Sequence, residues 1–328
     1  MNTPDARAQS LQHWLDTLPG AFEDLRLLRA DASFRRYFRA RRDGVSVVIM
    51  DAPPEREATE PFVRIARLLE GLGLRPPRVL EHEPDSGFVL LEDLGDRTFT
   101  RALAEGANEW PLYQRALDTL ATLHQRWPEQ GRADHIPPYD RERLLAETAL
   151  YADWYWPRLR GHAMPEAMRA EFDAAWHQVL EALPGLPDAL VLRDFHVDNL
   201  MLPPGDEQAC ALLDFQDAVI GSPAYDVVSL LEDARREVSA DTVARGLEHY
   251  LANADMPRAS FMAHYHVLGV QRTVKILGIF VRLAERDGKP RYLEHLPRLH
   301  RLLEQGLRHP ELGPVARWFA AHAAREHA

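Results

Sequence analysis

Hydrophobic periodicity changes from strand-like to mainly helical near residues 92–97, and this change constrains the fold more than any other feature. Before it, short β-branched and aromatic runs alternate with turn residues, a pattern typical of strands. After it, apolar residues recur at helical spacing over long segments. We therefore predict a bilobal α+β chain, with a small antiparallel-sheet lobe at 1–94, a hinge at about 90–96, and a large, mainly helical lobe at 97–328.

The small lobe is expected to hold a three-stranded meander, one inserted helix and two further strands. Asp43-Gly44 marks a tight hairpin turn within the meander, and the helix is predicted over residues 57–72. The predicted strands are residues 22–29, 34–41, 45–50, 76–81 and 87–91. In the large lobe the helical pattern is interrupted between residues 189 and 215, where short strands surround turns.

Composition excludes several classes of protein. The 328 residues carry a formal net charge of −11, which repels nucleic acid and anionic lipid. No apolar run is long enough for a transmembrane helix, and residues 1–12 lack the apolar stretch of a signal peptide. The single cysteine, Cys210, sits in an apolar run and is expected to be buried. We expect a cytoplasmic protein that binds neither nucleic acid nor membrane, with no obligate protein partner evident.

Three polar residues in the interrupted region have the spacing of a phosphoryl-transfer site. Asp194 follows a short apolar run, and Asn199 comes five positions later. A further apolar run follows Asn199, and Asp214 ends the apolar strand after that one. Phosphoryl transfer needs a carboxylate that orients the attacking hydroxyl and accepts its proton, and oxygen ligands that hold Mg²⁺ on the phosphates. We interpret Asp194 as the catalytic carboxylate and Asn199 and Asp214 as Mg²⁺ ligands, with ATP as the phosphoryl donor.

The order Asp-x4-Asn, strand, Asp-Phe is the order of the catalytic and metal loops in the protein-kinase fold. The sequence resembles the aminoglycoside phosphotransferase and choline kinase family over nearly the whole chain. Leu192-Arg193-Asp194 stands where that family usually has His-Gly-Asp, so the aspartate matches and its two predecessors do not. The segment from Gly221 to Asp226 resembles the family's Gly-x-Pro-x-x-Asp, which implies that Asp226 braces the catalytic loop.

Four segments are similar to a narrower group, the bacterial kinases of N-acetylmuramate and N-acetylglucosamine. They are residues 31–39, 50–54, 194–199 and 271–278. These enzymes phosphorylate the anomeric C1 hydroxyl of the amino sugar during recycling of peptidoglycan. The resemblance implies that activity for this chain, with ATP and Mg²⁺ as co-substrate and cofactor.

The phosphate-binding lysine of the kinase fold is missing, because no lysine precedes Lys275. The loop before the second strand also contains no glycine. Arginines on that strand can replace the lysine, since a guanidinium binds phosphate bidentately and keeps its charge. The candidates are Arg35, Arg36 and Arg39, and we favour Arg35 and Arg39, which share a face. Solvated arginines are an equal alternative. Ser33 at the loop tip offers a backbone N–H or a hydroxyl.

Adenine is expected to meet the backbone groups of Glu92 and Leu94 in the hinge, with Val48 as an apolar wall. This expectation follows from the position of these residues in the fold. In the helix after the third strand, Glu57 or Glu60 stands where a lysine-pairing glutamate would lie. Because there is no lysine to pair with, we expect a solvated carboxylate.

The acceptor sugar has several candidate ligands in the large lobe. Tyr151 and Trp154 belong to an aromatic-rich helical segment, and aromatic faces stack on sugar C–H groups. Packing against neighbouring helices is the alternative for each aromatic, and we expect at least one to reach the sugar. His196 and Asp198 flank the catalytic loop and can hydrogen-bond sugar hydroxyls, although His196 is equally suited to a structural role in the loop.

Positive charge in the large lobe has two candidate roles. Arg193, beside the base, can neutralise the transferring phosphate or a substrate carboxylate. Arg272 and Lys275 lie three residues apart on one predicted helix and so share a side. They could meet the lactyl carboxylate of N-acetylmuramate, and surface solvation is the equal alternative.

Two other functions remain open at this point. The chain could phosphorylate another small molecule, such as an aminoglycoside, a choline-like amine or a different sugar. It could also be a pseudokinase that binds nucleotide without catalysis, because the lysine and the glycine-rich loop are absent. The presence of Asp194, Asn199 and Asp214 together argues for an active enzyme.

Overall fold

The computed structural model describes residues 6–30, 35–127 and 135–323. The chain forms two compact units. The first draws on Met1–Ala107 and Val197–Asp217, and the second on Asn108–His196 and Ala218–Ala328. The change from one unit to the other therefore falls inside the predicted catalytic segment, between His196 and Val197. The lobe boundary expected near residues 92–97 stays a prediction.

In its described residues, the first unit contains a five-stranded antiparallel sheet and three helices, so the predicted five strands are confirmed. The strands are β1 (Phe22–Ala30), β2 (Arg36–Arg42), β3 (Val45–Asp51), β4 (Val79–Glu83) and β5 (Phe88–Glu92), in the order β1-β2-β3-β5-β4. The helices are α1 (Ala6–Thr17), α2 (Glu60–Gly71) and α3 (Phe99–Ala104). The helix α2 begins three residues later than predicted, so Glu57 lies in the segment before it.

The hairpin between β2 and β3 has the turn that the sequence predicts. Asp43 and Gly44 have φ values of 51° and 81°, and Arg42 faces Val45 across the turn. Two successive left-handed residues match the right-handed twist of paired strands. Alternate residues of the strands then pack against α1, in a core made of Leu11, Trp14, Leu15, Ala40, Val47, Ile49, Phe88 and Leu90.

A second, two-stranded sheet belongs to the first unit and carries two of the predicted functional residues at its ends. It pairs β7 (Leu200–Met201) with β8 (Ala211–Leu212). Hydrogen bonds fix it in place: the Leu202 N–H donates to the Arg97 carbonyl and the Leu212 N–H to the Arg75 carbonyl, both at 2.9 Å. Cys210 just before β8 is 7% exposed, as expected.

The second unit is mainly helical, and its described residues include a short antiparallel pair formed by β6 (Ala189–Val191) and β9 (Val219–Gly221). Its helices are α4 (Glu109–Arg126), α5 (Arg141–Leu150), α6 (Trp156–Arg160), α7 (Glu166–Glu181), α8 (Ala224–Leu231), α9 (Ala240–Asn253), α10 (Arg258–Glu285), α11 (Leu296–Gly306) and α12 (Gly313–His322). The helix α10, with 28 residues, packs against α5, α8 and α11. Side chains at helix starts, such as Asp140 before α5 and Ser239 before α9, accept hydrogen bonds from first-turn N–H groups.

A π-helical turn at Tyr151–Tyr155 connects α5 to α6, in the aromatic-rich segment that was predicted to be helical. Gly278 of α10 makes this region possible, because a Cβ there would lie 2.2 Å from the Leu150 carbonyl oxygen. The close approach places Tyr151 in an aromatic core, with ring centroids 5.0 Å from Tyr155 and 5.7 Å from Phe172. In the described part of the chain, no helix is long and apolar enough to cross a membrane.

The buried His124 of α4 makes folding sensitive to acid. Its Nδ1 lies 2.6 Å from the Tyr250 hydroxyl, and burial lowers its pKa from the ordinary 6.5 to about 3. The folded state therefore favours neutral His124, so this stabilisation is complete above about pH 6.5 and is lost as pH falls towards 3. Between pH 6.5 and 4, we expect the free energy of unfolding to vary less with pH in His124→Gln than in the wild-type protein. The number of protons taken up on unfolding should fall by about one.

Urea denaturation at a series of pH values measures this slope. His177→Gln is the matched control, because His177 is exposed on α7. An unchanged slope in His124→Gln would show that other groups set the acid sensitivity.

Candidate active site

The predicted catalytic residue, Asp194, lies in a sharp turn that follows β6. Arg193 within this turn has a φ of +70°, a left-handed conformation that costs energy for a residue with a side chain. The buried Asp226 of α8 compensates, since its carboxylate accepts hydrogen bonds from the N–H groups of Leu192 at 2.6 Å and Arg193 at 2.8 Å. Ser229 adds a hydrogen bond to the Arg193 carbonyl at 2.9 Å. The turn therefore holds Asp194 with its side chain exposed.

Asp226 braces the turn before Asp194 as the family resemblance implied, so this structural prediction is confirmed. Burial raises the pKa of Asp226 to about 7, while the two backbone N–H groups oppose that rise. Its two oxygens each meet one N–H of the turn, which fixes the backbone geometry before Asp194.

A buried charge cluster lies beside the same turn. Glu147 of α5 accepts hydrogen bonds at Oε1 from Arg193 Nη2 at 2.7 Å and from Lys275 Nζ at 2.9 Å. The side chains of Glu147 and Lys275 are each 12% exposed. Lys275 Nζ also donates to the hydroxyls of Tyr225 at 3.2 Å and Tyr139 at 3.5 Å. Burial works against ionisation of Glu147, but Lys275 and Arg193 outweigh it and lower its pKa.

This cluster changes the interpretation of two predicted substrate ligands. The guanidinium of Arg193 and the ammonium of Lys275 both point to Glu147, so Lys275 is not a solvated surface lysine. Glu147 itself was not predicted. The one available signal was a lone lysine within an apolar helix, which requires a buried carboxylate, but sequence spacing does not identify a partner on another helix.

Removing the charge of Glu147 leaves two buried cations without their shared carboxylate. We expect Glu147→Gln to lower the free energy of unfolding by about 3–5 kcal/mol, the usual cost of breaking a buried ion pair. Urea denaturation at pH 7 measures the change. Glu142→Gln, an exposed position on the same helix, should change stability by less than about 1 kcal/mol. Equal effects of the two substitutions would contradict a buried pair.

The remaining residues around the turn of the second unit are also buried. His196 is 4% exposed, and its Nε2 lies 3.3 Å from Nη1 of Arg235. Burial and the charge of Arg235 both lower the pKa of His196. Arg272 is 4% exposed in the middle of α10.

The predicted metal ligands belong to the first unit, at the ends of β7 and β8. The Leu213 N–H donates to the Asn199 carbonyl at 2.9 Å, and Asn199 Nδ2 lies 3.4 Å from Asp214 Oδ2. Gln216 Nε2 donates to Asp214 Oδ1 at 2.8 Å, and Asp214 has a φ of +58°. An amide and an exposed carboxylate are thus adjacent, and such oxygen donors suit Mg²⁺. The donor set fits the predicted ion.

Asp198, a predicted sugar ligand, lies before Asn199 in the same unit. Its carboxylate accepts a short hydrogen bond from the Thr100 hydroxyl at the start of α3. Contact between Asp198 and a sugar stays a prediction.

Each candidate phosphate-binding arginine has a carboxylate partner in the first unit. Arg39 Nε lies 2.7 Å from Asp93, and its Nη1 lies 2.9 Å from Asp96. The hydrogen bond to Asp96 contributes most to raising the pKa of Arg39, ahead of the partner Asp93. Arg35, just before β2, forms a close ion pair with Glu57 and is 7% exposed.

The expectation of a solvated glutamate is therefore wrong for Glu57, which is 24% exposed and paired with Arg35. The physical reason is the buried guanidinium, which requires a counter-charge. Glu60, at the start of α2, is exposed as expected. Ser33 lies outside the described residues.

The predicted adenine contacts lie on β3, at the end of β5 and just after β5. Val48 is half-buried on β3, opposite Leu91 of β5. The Glu92 N–H donates to the Arg78 carbonyl at 2.9 Å, so this N–H has a partner within the unit. Its carboxylate pairs with Arg75, whose hydrogen bond is the main cause of the lowered pKa of Glu92. Leu94 is buried, and its contact with adenine stays a prediction.

Tyr151 and Trp154 differ in their surroundings. Tyr151 is 2% exposed and belongs to the aromatic core described above, whereas Trp154 is half-buried. A cavity of about 340 Å³ in the second unit is lined by Tyr151 and Tyr155, together with residues of α11 and α12. Its lining includes neither Asp194 nor Arg193, so this cavity does not identify the acceptor site.

Residues 24–262 match the model of the phosphotransferase enzyme family, APH. The chain belongs to this family. It is 37% identical to an N-acetylmuramate/N-acetylglucosamine kinase of Caulobacter vibrioides, covering 89% of this chain and 90% of that protein. It is also 37% identical to a kinase of the same name from Pseudomonas aeruginosa, covering 97% of both.

Solved structures support the fold of this phosphotransferase. The ADP-bound aminoglycoside phosphotransferase APH(2'')-Ib matches with a TM-score of 0.61 at 16% identity, covering 92% of this chain and 98% of that one. The likeness confirms the predicted α+β, protein-kinase-like fold. Family membership likewise confirms that the chain is a phosphotransferase.

Within this phosphotransferase, the structure brings the predicted residues together in two groups. Asp194, Arg193 and His196 share the turn after β6 in the second unit, while Asn199 and Asp214 share the β7–β8 hairpin in the first. Lys275 joins the first group through Glu147.

Proposed function

We propose that this phosphotransferase moves the γ-phosphoryl group of ATP to the anomeric C1 hydroxyl of N-acetylmuramate, N-acetylglucosamine or both. The observation that carries the proposal is the exposed Asp194, which lies in a turn held by Asp226. The relatives that match about nine-tenths of this chain or more are named as kinases of these two sugars. The product would be the sugar 1-phosphate, formed in the recycling of peptidoglycan.

In this proposal Asp194 orients the C1 hydroxyl and accepts its proton as the oxygen attacks the γ-phosphorus. The turn supports this role, because Asp226 and Ser229 fix its backbone and leave the carboxylate exposed. Pre-positioned groups need little reorganisation in the transition state, which is how such sites accelerate phosphoryl transfer.

Asn199 and Asp214 hold Mg²⁺ in this proposal. When bound, the ion neutralises charge on the β- and γ-phosphates. Gln216 and Leu213 support the two ligands, since one contacts the Asp214 carboxylate and the other the Asn199 carbonyl.

The absent lysine leaves phosphate binding to arginine, and we propose Arg35 as the main candidate. Its ion pair with Glu57 resembles, in chemical type, the cation–glutamate pair of kinases, in which the carboxylate positions the phosphate-binding cation. Arg39 has two carboxylates to hold it, which favours a structural role for this residue.

We also propose that the reaction takes place in the cytoplasm.

The test is a ³¹P NMR assay of the full chain with ATP and Mg²⁺, offering N-acetylmuramate, N-acetylglucosamine, kanamycin and choline in parallel. A sugar 1-phosphate resonance with either amino sugar is the expected result. Product from kanamycin or choline alone would replace the proposed acceptor, and no product from any acceptor would favour a nucleotide-binding pseudokinase. The Asp194→Ala variant controls for a contaminating kinase.

A further inference from the structure

Arg272 is an unusual arginine because it is buried in the centre of a long helix. Arg272 is 4% exposed, and its neighbours Gln271 and Thr273 on α10 are also buried. Arginine keeps its charge in proteins and is rarely this buried without a paired anion. Burial of an unpaired guanidinium is costly, so its acceptors need to be identified.

No hydrogen bond or ion pair joins the Arg272 guanidinium to another side chain or carbonyl within residues 6–30, 35–127 and 135–323. The anions that act on it do so at longer range. Its charge lowers the pKa of Asp226 and of Glu232, although burial raises both to about 7. Asp226 already binds the Leu192 and Arg193 N–H groups. Five N–H donors of Arg272 therefore lack an acceptor in the described chain.

Lys275, one helical turn further along α10, provides a direct contrast. Its ammonium has Glu147 at 2.9 Å and the hydroxyls of Tyr225 and Tyr139 at 3.2 and 3.5 Å, which uses all three donors. The two cations that were predicted to bind the substrate carboxylate therefore have different roles. Lys275 is part of an internal ion cluster, and Arg272 has donors for an external anion.

The position of Arg272 relates it to the catalytic turn of the same unit. The adjacent Gln271 has its Nε2 3.5 Å from Oε2 of Glu147, and Glu147 binds Arg193 of that turn at 2.7 Å. Helix α10 also packs against α8, which carries Asp226. An anion bound by Arg272 therefore belongs to a molecule that approaches the Asp194 turn. The phosphotransferase binds two such molecules, the nucleotide and the acceptor.

We infer that Arg272 binds the carboxylate of the acceptor and so makes the enzyme prefer an anionic amino sugar. The inference rests on the proposed function, in which N-acetylmuramate carries a lactyl carboxylate and N-acetylglucosamine does not. A planar guanidinium matches a carboxylate with two parallel N–H···O bonds. Arg272 is thus a specificity-determining residue of the acceptor, and Lys275 is a structural one.

A cycle of two changes tests this assignment. One change is Arg272→Met in the protein, and the other replaces N-acetylmuramate by its neutral methyl ester. We expect the wild-type protein to use the acid with a kcat/KM about 10- to 100-fold higher than the ester, as a charge-assisted hydrogen bond implies. Arg272→Met should lose most of this ratio.

The cycle also distinguishes other functions of Arg272. If the ratio of acid to ester survives in Arg272→Met, or if the wild-type protein shows no preference, the inference is overturned. A rise in KM for ATP with the ratio intact would assign Arg272 to the nucleotide. A wild-type protein that phosphorylates neither sugar contradicts the proposed function itself.

Arg282→Met is the matched control, because Arg282 lies on the same helix and outside the proposed site, and its ratio should match the wild-type protein. If Arg272→Met does not fold, Arg272→Lys keeps the charge and removes the bidentate geometry. We then expect a smaller loss of the acid-to-ester ratio, by about threefold to tenfold. A full wild-type ratio in a folded Arg272→Lys variant would overturn the bidentate assignment.

Discussion

Asp194→Ala is expected to lower kcat by about 10²- to 10⁴-fold, the usual contribution of a positioned general base. The fold should survive, because the Asp194 side chain is exposed and the turn is held through the backbone of its neighbours by Asp226. Steady-state kinetics with the amino sugar and ATP give the change in kcat, and thermal melting by circular dichroism reports the fold.

The matched control for this substitution is Asp188→Ala, which removes an exposed carboxylate just before β6. It should retain wild-type kcat, because it lies outside the braced turn. A loss of less than tenfold in Asp194→Ala would move the general base to another residue. Equal loss in both variants would indicate a general effect of charge on the surface.

Asp214→Asn is expected to reduce Mg²⁺-dependent turnover by about a hundredfold or more, since metal stabilisation of developing charge is worth several kcal/mol. Asparagine is preferred to alanine here because Asp214 has a φ of +58°, and asparagine tolerates this left-handed conformation. The substitution therefore removes the negative charge with little backbone strain. Turnover measured against Mg²⁺ concentration separates weaker metal binding from a lower maximal rate.

Asp206→Asn provides the control for Asp214, because it neutralises an exposed carboxylate in the same unit. Its Mg²⁺ dependence should equal that of the wild-type protein. A wild-type Mg²⁺ dependence in Asp214→Asn would refute the ligand role of this residue, whatever its effect on turnover.

Local chemistry made much of the fold predictable. The Asp43-Gly44 turn requires two left-handed residues, so dihedral preference alone selects it, and β-branched runs on both sides define the strands. The spacing of Asp194, Asn199 and Asp214 at strand ends was equally readable, because period-two and helical patterns are properties of neighbouring residues. Helix α10 followed from the same periodicity.

Pairing between distant residues was not predictable in this way. Glu57 was expected to be solvated, but it meets Arg35, and sequence spacing gives no register between a loop and a strand. The π-helical turn at Tyr151–Tyr155 also escaped prediction, because it is accommodated by the bare backbone of Gly278 on another helix.

By itself, the sequence determined the α+β class, the order of the elements and the residue types that phosphoryl transfer needs. These features depend on dihedral preference and on periodic burial, which act over a few residues. The tertiary structure alone decided that Lys275 forms an ion pair with Glu147, whereas Arg272 donates no hydrogen bond to the described chain. Lys275 and Arg272 nevertheless lie only one helical turn apart on α10. The reason is that the role of a buried charged side chain depends on the partner that lies within about 3 Å of it, and such partners come from distant parts of the chain.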